Sequence, residues 1–86
     1  MAKVTIRYWA AAKEAAGLPE ETLEAVTLAE ALNAAVASRS SGGPLRDILA
    51  RSSVLVNSTR VNKNAAQDIT LSDGAVIEIL PPFAGG

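Results

Sequence analysis

Gly85 and Gly86 close the run Pro81-Pro82-Phe83-Ala84-Gly85-Gly86, and neither carries a side chain. Chemistry at this tip must therefore use the backbone or an α-carboxylate on Gly86. Pro81 and Pro82 fix φ and favour extended, polyproline-like geometry, which stiffens the segment. The stretch 81–86 reaches at most about 20 Å when extended. A narrow tip on a semi-rigid stalk suits insertion into another protein's active site.

The rest of the composition sharpens that reading by exclusion. The 86 residues include no cysteine, so disulfides, thiolate metal sites and cysteine nucleophiles are out of reach. Histidine is absent too, which removes the usual general base, the Ser-His-Asp arrangement and most zinc sites. A net charge of −1 gives no electrostatic footprint for nucleic acid or an anionic membrane. The first residues lack an apolar core of signal-peptide length, and no stretch is long enough to cross a bilayer. The expectation is a soluble, cytoplasmic protein with neither nucleic acid nor membrane as partner. No bound cofactor is expected, and side-chain catalysis has few candidates.

Three further features carry less chemistry than they suggest. Glu20-Glu21 beside Pro19 reads as a solvated loop. Arg39, Arg46 and Arg51 have the spacing of a solvated helix face. The stretch 38–43 has glycines but neither Walker A spacing nor its lysine, so it reads as a flexible connection.

The elements that must hold the tip follow from periodicity. Residues 2–8 alternate, with Val4, Ile6 and Tyr8 on one face and Lys3, Thr5 and Arg7 on the other, as a half-buried strand does. Residues 9–16 are Ala-rich and end at Gly17, a natural helix C-cap. Residues 21–26 read as a second strand. Thr27 and Glu30 fit a capping box, and Leu28, Ala31, Leu32, Ala35 and Val36 form one apolar helical stripe. Pro44 suits the first turn of a short helix with Leu45, Ile48 and Leu49 on one side. Val54-Leu55-Val56 and Val61 flank a hairpin turn at residues 57–60, residues 62–68 read as irregular, and Asp73-Gly74 as a turn. Residues 75–80 are apolar on both faces, as in a central strand. With the aromatics at 3%, Tyr8 and Trp9 read as core or edge packing. The whole is an α+β layer pair, with a domain over residues 1–80 and an extended tail over 81–86.

Taken together, Val4-Thr5-Ile6-Arg7-Tyr8-Trp9-Ala10, Lys13-Glu14-Ala15-Ala16-Gly17, Val56-Asn57, Leu71-Ser72-Asp73-Gly74 and the Pro81 to Gly86 ending resemble the small-subunit family of molybdopterin synthase, MoaD. That family stands with the ThiS sulfur carriers among ubiquitin-like β-grasp proteins. The resemblance implies a mixed sheet of four to five strands on one main helix. It also implies the tail's chemistry. Gly86 is adenylated by a ubiquitin-activating-like adenylyltransferase that consumes ATP, a sulfur donor protein converts it to a thiocarboxylate, and the tip enters the large synthase subunit. There it gives sulfur to the pterin precursor of the molybdenum cofactor. The chain is then a non-catalytic, sulfur-carrying subunit of a transferase complex. An ionised α-carboxylate is a poor electrophile, so the adenylate is needed as a leaving group. Pro81, Pro82, Phe83, Ala84 and Gly85 become the partner-binding tail. Glycine at 85 and 86 keeps a Cβ off the tunnel walls. Phe83 either anchors at the tunnel mouth or closes the domain's own core edge. One departure is that Ala75-Val76 stand where the family commonly has an acidic pair. Sulfur delivery to cysteine or thiamine synthesis, protein modification through Gly86, and a binding module with an idle tail are the alternatives.

Overall fold

A computed structural model describes residues 2–38 and 43–82. The alternation of residues 2–8 produces strand β1 (Ala2–Tyr8), with Val4, Ile6 and Tyr8 buried as expected. Helix α1 (Ala10–Ala16) stops at Gly17, whose φ of 84° is the left-handed conformation that ends helices at low cost. Strand β2 (Glu20–Ala25) follows, one residue ahead of the strand expected over 21–26, and it takes in the Glu20-Glu21 pair that also read as a solvated loop. Pairing with β1 decides this: Arg7 faces Glu20 and Ile6 faces Glu21 across the ladder.

Helix α2 (Leu28–Ala37) buries the five apolar residues of its stripe. Its capping box closes in a shifted form. Thr27 Oγ1 accepts from the Glu30 N–H at 3.3 Å, while Glu30 Oε1 accepts from the Val26 N–H at 2.8 Å, one residue before the cap. Helix α3 (Gly43–Arg51) buries Leu45 and half-buries Ile48 and Leu49, and Arg46 and Arg51 are exposed. Arg39 lies outside the described residues.

Strands β3 (Ser53–Val56) and β4 (Thr59–Val61) form the hairpin, with a tighter turn than the four residues 57–60 suggest. Asn57 and Ser58 turn the chain alone, with φ of 50° and 71°, the positive pair that matches strand twist. Residues Lys63–Asp68 form a 3-10 helix where irregular chain was expected. Its polar sequence hides one burying residue, Ala66, and Asn62 caps it by accepting from the Asn64 N–H. Strand β5 (Val76–Leu80) completes a sheet of order β2-β1-β5-β3-β4. β5 is the central strand, parallel to β1 and antiparallel to β3. Val4, Ile6, Val54, Ile77 and Ile79 on the inner face share one core with Leu28, Ala31 and Ala35 of α2. Fully burying each Ile or Leu contributes about 1.5–3 kcal/mol, so this layer contact dominates the fold.

Candidate functional site

The tail's root is the end of β5, and both ends of that strand are held. At its start, Asn57 makes a reciprocal pair with Val76: the Val76 N–H donates to Asn57 Oδ1 at 2.9 Å and the Asn57 N–H donates to the Val76 carbonyl at 2.8 Å. Just before it, Asp73 Oδ1 accepts from the Lys3 N–H at 2.8 Å, and the Gly74 N–H donates to the Lys3 carbonyl at 2.8 Å. Gly74 has φ of 88°, which a side chain would strain. Both turns therefore register β5 against its neighbours. At its far end, the Trp9 N–H donates to the Ile79 carbonyl at 3.2 Å, and Leu80 lies opposite Ser53 on β3. Pro81 is buried and Pro82 exposed. Phe83, Ala84, Gly85 and Gly86 lie outside the described residues.

Beside this root stands a group that the sequence did not disclose. Trp9 is 42% exposed, so it is neither a core residue nor packed away at an edge, unlike Tyr8. Its indole Nε1 donates to Glu78 Oε2 at 3.2 Å, and the Arg7 guanidinium sits 5.6 Å from the ring centroid, a cation–π distance. Arg7 Nε also lies 3.7 Å from Glu20 Oε1. On the opposite face of β1, the Tyr8 hydroxyl donates to Glu21 Oε2. Trp9 precedes Ala10, whose φ of 49° is costly for a residue with a Cβ, so the chain turns sharply from β1 into α1 at this point. The signal for the cluster was the outward phase of Arg7, but its partner Glu78 is brought beside it only by the β1–β5 pairing.

The departure at residues 75 and 76 has a structural meaning. Ala75 is buried in the core and Val76 is half-buried on the outer face. A carboxylate at position 75 would lose its hydration in this packing.

Among the described residues no group of three His, Cys, Asp or Glu side chains could hold a metal ion, and no helix is long and apolar enough to cross a membrane. Burial lowers the pKa of Lys63. Its ammonium donates to the Leu49 and Ala50 carbonyls at 2.8 and 3.0 Å, closing the end of α3.

This architecture defines a ubiquitin-like β-grasp domain with a mixed five-stranded sheet. The chain belongs to the ThiS family, which it matches over residues 6–86. It is similar to the solution structure of small archaeal modifier protein 1 from Methanosarcina acetivorans, with a TM-score of 0.82 and 24% identity over 100% of this chain and 98% of that one. A putative molybdopterin converting factor subunit 1 from Pyrococcus furiosus has a TM-score of 0.76 and 21% identity, covering 96% of this chain and 100% of its own. The complex of subunits 1 and 2 of molybdopterin-converting factor from Helicobacter pylori gives 0.70 and 26% identity, covering 98% and 99%. No curated protein matches the chain. The fold is that of the MoaD, ThiS and archaeal-modifier sulfur carriers.

Proposed function

We propose that the chain is the sulfur-carrying small subunit of molybdopterin synthase, acting in the cytoplasm with residues 81–86 as its working tail. The observation that carries this is the family match continuing through Gly86 from a central strand that is paired on both sides. Such a strand gives the tail a fixed root at Pro81.

The reaction begins with the Gly86 carboxylate attacking the α-phosphate of ATP in the adenylyltransferase, with pyrophosphate leaving. A donor's persulfide sulfur then attacks the acyl carbon and AMP leaves. A thiol cleaves the resulting S–S bond and frees the thiocarboxylate. The charged tip enters the large subunit, a partner suggested by the two-subunit Helicobacter complex, and passes its sulfur to the pterin precursor. No side chain of this domain need donate or accept a proton in these steps, in keeping with its lack of histidine and cysteine.

Intact-mass spectrometry after incubation with ATP, an adenylyltransferase and a persulfide donor tests the carrier chemistry. The expected product has one oxygen replaced by sulfur, localised to a C-terminal Gly86. No such product with any activating enzyme overturns the carrier reading. Restoration of molybdoenzyme activity in a strain lacking its own carrier tests the pathway. If the carrier product forms but activity does not return, delivery to cysteine or thiamine synthesis takes its place.

A second reading is favoured by the TM-score of 0.82 to an archaeal modifier protein. Here the neutral amine of a target lysine attacks the acyl carbon of the Gly86 adenylate, AMP leaves, the amine loses a proton and an isopeptide bond remains. Gly86-dependent ladders on blots of cell extract would support it.

A further inference from the structure

On the helical side of the sheet, α2, α3 and the 3-10 helix enclose a groove of about 430 Å³. Leu32 and Leu49 supply apolar surface, while Asn33, Asn64, Arg46 and Lys63 supply the polar part. No carboxylate is among the described residues that line it. No ion pair among the described residues neutralises Arg46 or Lys63. Lys63 spends two of its three N–H donors on the Leu49 and Ala50 carbonyls. Its charge is thereby fixed at the C-terminal end of α3, with the third donor outside those two bonds. Arg46 stands on the same helix, four residues before Ala50. Those two anchor points are about 6 Å apart along the axis, one helical turn.

We propose that this groove docks a helix of a partner protein that places carboxylates at positions i and i+4 around an apolar residue. The apolar residue meets Leu32 and Leu49, the two carboxylates meet Arg46 and Lys63, and Asn33 and Asn64 satisfy polar groups at the rim. Charge complementarity selects this occupant. A basic helix meets two like charges there, and a wholly apolar one offers no acceptor to Arg46 or to the third N–H of Lys63. The groove draws none of its described lining residues from the tail. It also lies close to the tail's root along the chain, since α3 runs almost directly into Ser53, the residue opposite Leu80.

The test is a titration of the isotope-labelled full chain, followed by amide NMR. Its probes are capped helical peptides of Leu, Ala and Glu with glutamates at i and i+4. The expected result is saturable shifts at Asn33, Arg46, Leu49, Lys63 and Asn64 that weaken with added salt. Arg46→Glu, at an exposed position, keeps a folded spectrum and weakens binding at least about fivefold, the loss of about 1 kcal/mol expected for reversing one charge of an exposed pair. A peptide with glutamates at i and i+2 binds more weakly than the i, i+4 peptide. The proposal is overturned if shifts are absent or fall on the outer sheet face. Equal binding to Arg46→Glu overturns it as well, as does equal binding of a peptide carrying lysines in place of the glutamates.

Discussion

On the inner face of the sheet, Val4, Ile6, Val54, Ile77 and Ile79 are almost wholly removed from water. Strands β1, β2 and β5 present Lys3, Arg7, Glu20, Glu24 and Glu78 on the outer face. The inner residues are interchangeable in chemistry and specific in shape, because close packing rewards volume. The outer ones are the reverse. Lys3 lies opposite Glu24, and Arg7 is flanked by Glu20 on β2 and Glu78 on β5, so position matters through sign of charge. The inner face supplies stability. The outer face, where Trp9 lies, adds little stability and is therefore open to variation that suits a partner.

The largest expected effect breaks the inner face. Ile77→Ala removes a fully buried side chain from the central strand and should cost about 2–5 kcal/mol, read as a shift in the urea midpoint. A cost below 1 kcal/mol would mean that the core collapses around the gap, and the contrast between the faces would blur. A middle-sized effect tests the entry to α2. Thr27→Ala loses the hydroxyl that accepts from the Glu30 N–H and should cost about 1 kcal/mol. Glu30→Ala acts on the neighbouring Val26 N–H, so a double-mutant cycle would show whether the shifted capping box acts as one unit.

The smallest effect is expected outside. Arg7→Ala loses the ion pair with Glu20 and the contact with Trp9, and should move stability by no more than about 1 kcal/mol. Its clearer readout is the indole emission of Trp9, the only tryptophan in the chain. That signal should change in Arg7→Ala and stay constant in Thr27→Ala. An Arg7→Ala cost approaching that of Ile77→Ala would refute the division between the faces.

Local periodicity made most elements legible. Val4, Ile6 and Tyr8 announced β1, and the stripe from Leu28 to Val36 announced α2, because each pattern is complete within a few residues. β5 was readable as central because hydrophobicity on both faces needs neighbours on both sides. The Glu20-Glu21 pair read as a solvated loop although Glu21 also opened the expected strand, because a charged edge strand and a solvated loop have the same composition and only the ladder with β1 separates them. Trp9 was misread because scarce aromatics read as packing residues, whereas it follows inward-facing Tyr8 and so falls on the outer side. The polar 3-10 helix at Lys63–Asp68 was hidden because it buries almost nothing except Ala66.

The sequence alone determined most of the elements, the apolar faces that meet in the core and the lack of side chains at Gly85 and Gly86, since each depends on residue type and short-range spacing. Only the tertiary structure decided the strand order, the Arg7–Trp9–Glu78 group and the groove where Lys63 meets the end of α3. Those depend on pairing between segments as distant as Trp9 and Glu78, and a one-residue slip in that pairing would turn every side chain of the strand to the opposite face.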